Sequence, residues 1–287
     1  MLPLYYHLFN DDVSALDLVA NRIIWATGFL LLLTTITRTW KRTISTARSA
    51  RNLAMLSVAA VLLGVNWSVY MYAIESNQLV EASLGYFINP LFSVALGVVV
   101  LRERLRIGQW IAVGVAALAV LVLTVSYGRP PWISLLLAGT FAVYGLVKKQ
   151  LGVGAVQSLT IETAILAPVA VLALVGFSVA TTSSVIDHSP LTLLLLIGLG
   201  PVTALPLLAF TGAATRIPLS TLGLMQYLCP VMLFLLGVFV FGEQMSTSRW
   251  IGFLLVWISL SIMTIDGLRN ARTNRNAADD LELTEPA

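Results

Sequence analysis

The chain has 287 residues, of which 58% are hydrophobic and only 11% charged; its mean hydropathy is +0.89. Soluble domains carry about 25% charged residues, so an ordinary water-soluble domain is excluded. The net charge of +3 and pI of 9.2 come without a continuous basic stripe, which argues against nucleic-acid binding. Cys229 alone allows no intrachain disulfide, and His7 and His188 cannot complete a metal cluster with it.

A helix needs roughly 20 apolar residues to cross the hydrocarbon. Runs at 18–37, 53–74, 79–101, 107–127, 131–147, 157–178, 191–213, 217–241 and 248–267 predict nine helices, that at 131–147 being the shortest. Long unbroken runs exclude a β-barrel, whose strands alternate. No charged n-region, h-region and cleavage site opens the chain, so the spans themselves are expected to drive insertion.

The connecting segments alternate in Lys and Arg. Segment 38–51 holds Arg38, Lys41, Arg42, Arg48 and Arg51, and the turn from Glu75 to Leu79 holds none. Arg102, Arg104 and Arg106 follow, then Arg129 alone, then Lys148 and Lys149, then none across 178–190. Arg216, then Arg249, then Arg269, Arg272 and Arg275 complete the series. Placing the rich segments in the cytoplasm puts 14 basic residues inside and two outside, with Arg22 inside a span. The positive-inside rule then predicts a cytoplasmic C terminus. The polar residues 268–287 read as a disordered cytoplasmic tail.

A repeat organises the spans. Pro90, Gly97, Glu103, Trp110 and Ile111 recur as Pro230, Gly237, Glu243, Trp250 and Ile251, at a constant offset of 140. The segment at Glu103 is basic and predicted inside, whereas that at Glu243 is predicted outside. One structural unit is therefore expected in both orientations, which needs an odd number of spans per repeat. The predicted fold is an all-α integral membrane protein of two inverted five-helix repeats, a ten-helix plan with a truncated first helix. Residues 1–127 form the first repeat and 131–267 the second. The offset matches Met1 to Phe141, midway along the second repeat's first helix, so either half a span is lost or the true start lies upstream.

Several segments resemble the RarD family, within the EamA-type branch of the drug/metabolite transporter superfamily. They are NRIIW at 21–25, GVNW at 64–67, EASLGYFINPL at 81–91, YGLVKK at 144–149, IET at 161–163 and ATRIPLSTLGLMQYLCP at 214–230. The resemblance implies a ten-helix inner-membrane transporter with both ends in the cytoplasm. It also implies the family's usual label, chloramphenicol-sensitivity permease, which fixes no physiological substrate.

Polar groups inside predicted spans are the candidate site residues. Arg22 and Glu162 lie furthest inside and correspond under the offset; a charge at mid-bilayer costs about 2.5–3.5 kcal/mol on insertion scales. Mirrored depths put them on the order of 15 Å apart at 1.5 Å rise per residue, so direct pairing is not expected. Candidate partners are Glu75 or Glu81 for Arg22, and Lys148 or Arg216 for Glu162. Either the two are outer and inner gate contacts, or Arg22 snorkels and Glu162 is a neutral hydrogen-bonded group. Gly85, Asn89, Ser93 and Gly97 form one stripe at i+4 spacing, beside Pro90, which should face other helices. The partner span carries Gly223, Gln226, Tyr227, Pro230 and Gly237. The glycines read as close packing; Asn89 and Gln226 read as packing or as cavity groups. Asn66, Trp67 and Tyr70 occupy neighbouring turns, Tyr144 precedes Lys148 by one turn, and Tyr86 and Phe210 add aromatic surface. Pro201 and Pro206 are expected to break the ladder of their span. Trp40, Trp132 and Trp250 suit an interfacial belt. Glu103 and Glu243 read as structural, capping the following helix or pairing with a nearby Arg.

These features point to a multi-pass permease of the bacterial inner membrane. It would move a small organic metabolite or drug-like compound by alternating access, one five-helix half rocking against the other around a midplane site. No nucleotide-binding loop is present, so a proton or exchange gradient is the expected drive, with Glu162 as proton carrier. No cofactor is implied. The expected partners are the solute and the lipid bilayer, and a second copy of the chain is a candidate. An integral membrane enzyme would need paired acids, a His–Asp set or a metal cluster, and the sequence offers none. The alternative is a non-transporting membrane protein or an inactive truncated paralogue.

Overall fold

A computed structural model describes residue 5 and residues 15–76, 78–128, 130–181, 190–229, 231–232 and 247–284. Ten helices make up this part: α1 Ala15–Ile36, α2 Trp40–Arg48, α3 Ala50–Glu75, α4 Leu79–Val99, α5 Ile107–Tyr127, α6 Trp132–Leu151, α7 Ala155–Thr181, α8 Pro190–Ala214, α9 Leu219–Met225 and α10 Thr247–Thr284. Eight of them contain a stretch long and apolar enough to cross a membrane. Lipid offers no hydrogen bonds, so each spanning segment must satisfy its backbone internally, and helices do so. Val99, Ile107, Val125, Leu172 and Leu191 stand more than 60% exposed, as hydrocarbon permits. Together these make the chain a multi-pass membrane protein.

The first described residues of several helices are spaced by the same 140 residues. Ala15 and Ala155 open α1 and α7, Ala50 and Pro190 open α3 and α8, Leu79 and Leu219 open α4 and α9, and Ile107 and Thr247 open α5 and α10, each pair 140 apart. Two of these pairs also pack together, α1 on α7 and α5 on α10.

Four boundaries differ from the sequence reading. The basic segment 38–51 contains a helix, α2, entered through Arg38 in the left-handed region (φ 53). The residues expected as a disordered tail continue α10 to Thr284; no Gly or Pro interrupts 268–284, and both would disfavour helix. Pro201 and Pro206 were expected to break their span, yet both lie inside a continuous α8; flanking turns carry the helix across a missing donor when neighbouring helices hold it. Finally, the span expected at 217–241 is described only to Met232, apart from Pro230, and its first part is broken. After Met225 the chain turns at Gln226 and Tyr227, and helical geometry resumes at Leu228. Pro230 has no N–H for the Gln226 carbonyl; that carbonyl accepts instead from Cys229 N at 3.0 Å, a tighter turn. Of the segment before Ala15, Tyr5 is described: its hydroxyl donates to the Leu195 carbonyl at 2.7 Å. Glu243, Gly237 and His188 lie outside the described residues, as does most of the segment before Ala15.

By packing, the chain divides into two compact units: Met1–Ala82 with Gly139–Ile217, and Ser83–Ala138 with Pro218–Ala287. Each unit draws on both sequence repeats. In the first, α1 packs on α3, α7 and α8. Its core joins Ile23, Leu30, Leu63, Trp67, Tyr144, Leu159 and Leu207. In the second, α5 packs on α10 around Phe87, Ala116, Leu224, Tyr227, Phe253 and Val256. Ser259 there donates to the Ala112 carbonyl at 2.7 Å, and Arg106 pairs with Asp266 at 2.6 Å.

The small-residue stripe of α4 faces helices within the second unit. A Cβ on Gly97 would lie 2.7 Å from Glu103 Oε2, and one on Gly223 would lie 2.7 Å from Ser93 Cβ. Only glycine allows this approach of α4 and α9. Glu103 then performs a task different from the expected one. It does not cap the helix that follows it, where Gln109 Oε1 accepts from Arg106 N at 3.0 Å. Its carboxylate instead caps α9, accepting from Leu219 N at 2.7 Å, Ser220 N at 2.9 Å and Ser220 Oγ at 2.6 Å. Pro218 at the α9 N-cap offers no side-chain bond of its own, so a charge 116 residues away in sequence supplies it. Glu103→Ala should therefore lower unfolding stability by about 1–3 kcal/mol, read by thermal unfolding of the purified protein in detergent, and Glu103→Gln should recover part of the loss.

Candidate functional site

Two helices joined by a short turn build a fully buried polar cluster. α6 presents Tyr144 and Lys148 one turn apart, and α7 presents Ser158 and Glu162 one turn apart. Gly152, left-handed at φ 63, sits in the turn that joins the two helices. The Lys148 and Glu162 side chains are 1% and 0% exposed and form an ion pair through Glu162 Oε1. The Lys148 ammonium also donates to Ser158 Oγ at 2.5 Å, and Ser158 donates to Glu162 Oε1 at 2.8 Å. The Tyr144 hydroxyl donates to Glu162 Oε2 at 3.2 Å. The ammonium lies 5.0 Å over the Tyr144 ring. Behind this set, Phe210 stacks on Tyr144 at 6.1 Å and meets Phe141 at 4.8 Å. Thr211 is buried beside Tyr144, its hydroxyl outside hydrogen-bonding geometry. Glu162 thus meets Lys148, and not Arg216, which is exposed and bonds its own Gly212 carbonyl. Lys148 is correspondingly not one of the solvated charges of a cytoplasmic segment. Its neighbour Lys149 reaches the Ile217 carbonyl at 2.5 Å.

Arg22 occupies a different part of the same unit. It is 7% exposed. Its Nε donates to Thr203 Oγ1 at 3.0 Å, and its guanidinium carbon lies 4.2 Å above the Trp67 ring. Glu81, one of its expected partners, is fully buried at the start of α4 but does not pair with it; the Glu75 side chain lies outside the described residues. Asn66 donates to Thr140 Oγ1 at 2.9 Å. Tyr70 is half-buried against Leu18, Met71 and Leu196.

In the second unit, Asn89 donates its amide to Gln226 Oε1. This bond crosses from α4 to the break after α9. Asn89 Oδ1, Gln226 Nε2 and the Tyr227 hydroxyl are buried without a hydrogen-bond partner. Tyr86 is half-buried on α4. The thirteen candidates therefore gather into a Lys148–Glu162 cluster with Tyr144 and Phe210, an Arg22–Trp67 contact, and an Asn89–Gln226–Tyr227 group, with Asn66, Tyr70, Glu81 and Tyr86 outside these three. The sequence reading missed Ser158, Thr203 and Thr140. Ser158 stood one turn before Glu162 and was visible as an i, i+4 pair; the hydroxyls of Thr203 and Thr140 carried no signal until their helices were packed.

The EamA-like transporter family matches residues 2–125. "Protein RarD" of Streptomyces exfoliatus is 46% identical over all of this chain and 92% of that protein. The chain belongs to the RarD family of EamA-type transporters. "Protein RarD" of Escherichia coli (strain K12) is 41% identical over 94% of this chain and 91% of its own length. "Uncharacterized transporter YojE" of Bacillus subtilis (strain 168) is 37% identical over 96% and 93%. A solved crystal structure at 18% identity superposes with a TM-score of 0.64 over 90% of each chain and shares the fold. Membership of this family makes the protein a membrane transporter.

Removing one member of a buried ion pair leaves its partner's charge uncompensated, which costs about 3–5 kcal/mol, whereas replacing both members is often neutral. Lys148→Met and Glu162→Gln should each lower thermal stability by that order in detergent. The double variant should recover most of the loss.

Proposed function

We propose that the protein is an inner-membrane permease, its C terminus cytoplasmic, that moves a small organic metabolite or drug-like compound by alternating access. The two repeats are threaded through the membrane in opposite directions. Support for that threading comes from the partition of basic residues, 13 inside to two outside once the buried Lys148 is set aside from the 14, and from the 140-residue sequence repeat. The aromatic groups Trp67, Tyr70, Tyr86, Phe210 and Tyr227 suit a solute with an apolar or aromatic part.

The observation that carries this reading is the Lys148–Glu162 pair, buried in a membrane-spanning helix hairpin and held by Tyr144 and Ser158. Replacing such a pair by apolar residues often leaves stability unchanged, so stability alone does not account for it. Intramembrane charges mark solute and proton pathways. Glu162 carries the coupling proton in this scheme. Protonation neutralises the carboxylate, releases Lys148, and frees Tyr144 and Ser158 to take other partners. A set of bonds with two arrangements is what a conformational switch requires.

Metabolite profiling of cells and medium tests the proposal. A deleted and an overexpressing strain should shift one metabolite in opposite directions, which names both solute and polarity. The double variant Lys148→Met/Glu162→Gln, present in the membrane at wild-type abundance, should leave that metabolite where the deletion leaves it. Wild-type export or import by the double variant would remove the ion pair from the mechanism, and an unchanged profile in all strains would remove transport of cellular metabolites.

A further inference from the structure

Among the described residues Arg22 is a buried cation without an anion. Its side chain belongs to α1, inside the first compact unit, and is 7% exposed. A guanidinium has five N–H donors and cannot give up its charge. Here one donor is used, Nε on Thr203 Oγ1. No carboxylate lies within ion-pair distance of it among the described residues. The contrast with Lys148 is direct: that cation, also buried, has its carboxylate and two hydroxyl-bearing neighbours. A lone buried charge of this kind costs several kcal/mol unless an anion meets it.

The geometry also says how an anion would dock. Trp67 covers one face of the guanidinium at 4.2 Å, and Thr203 holds the Nε edge at 3.0 Å. Those two contacts fix the plane from two directions, and no described residue bonds the paired Nη groups. Two parallel N–H donors in one plane match the two oxygens of a carboxylate, the fork arrangement that Arg makes and Lys cannot. A single guanidinium suits one negative charge. The neighbouring core is apolar and aromatic, with Ile23, Trp67 and Phe210 in one cluster.

We infer that Arg22 is the recognition point for a monocarboxylate solute, held by two parallel hydrogen bonds to the Nη groups, with Thr203 and Trp67 positioning the guanidinium. The inference rests on the transport reading for its purpose but not for its test, because binding in detergent requires no turnover.

The test uses the full-length protein in detergent and a panel of aromatic and aliphatic monocarboxylates, each paired with its neutral amide. Benzoate with benzamide and indole-3-acetate with indole-3-acetamide are two such pairs. The wild type should gain a few degrees of thermal midpoint from at least one carboxylate and not from its amide. Arg22→Gln and Arg22→Lys should weaken that response on the order of tenfold or more, as truncation of a buried charged pair does. The ligand-free Arg22→Gln protein should be as stable as the wild type or more so, because an uncompensated charge has been removed. A purely structural arginine predicts the reverse, a less stable ligand-free variant. That reverse result would overturn the inference, as would amides that stabilise as well as their acids, or a panel to which the wild type does not respond. Unchanged metabolites in the profiling experiment alongside a carboxylate response here would condemn the transport reading and leave this one standing.

Discussion

Hydrocarbon offers no partner to a polar group, and this constraint organises the described structure. Backbone groups meet it through helices. Side chains meet it in pairs: Lys148 with Glu162, Asn89 with Gln226, Asn66 with Thr140, Ser259 with the Ala112 carbonyl. Glu103 meets it for another segment, closing the exposed start of α9 from 116 residues away. Where the chain departs from this economy, the exceptions concentrate on residues singled out for their chemistry. Among the described residues Arg22 has no anion, and Asn89, Gln226 and Tyr227 keep buried groups unsatisfied. Strain of this kind is retained in proteins where a solute or a second conformation relieves it.

The break after α9 shows how sequence asymmetry enters a repeated fold. Pro90 and Pro230 are equivalent by sequence, and both remove a backbone donor. Pro90 sits inside an uninterrupted α4, whereas Pro230 follows a turn at Gln226 and Tyr227. The turn places Gln226 opposite Asn89, so the two equivalent helices contribute one amide each to a single contact.

Much of this was legible before any coordinates. Eight of the nine long apolar runs coincide with membrane-length helices to within a few residues, since the hydrocarbon thickness sets their length; the ninth, 217–241, is broken where it is described. The 140-residue offset, found from five residues, also separates the first described residues of four pairs of helices. The motifs identified the family. Partners were harder to read. Glu162 was matched to Lys148 or Arg216, and only packing chose between them; Arg22 was matched to carboxylates and met Thr203 and Trp67 instead. Pairing depends on the rotation of each helix about its axis, which an almost uniformly apolar span does not record. The grouping of segments was also hidden. The two compact units each combine parts of both repeats, because a repeat marks ancestry while packing follows complementary faces.

The account depends most on opposed threading of the two repeats, since a duplicated bundle inserted one way offers no symmetry between inward and outward access. Reporter fusions truncated after Glu103 and after Glu243, one reporter active only in the cytoplasm and one only outside it, measure that directly. The cytoplasmic reporter should be active at Glu103 and the external reporter at Glu243. Activity of the same reporter at both positions would contradict the account.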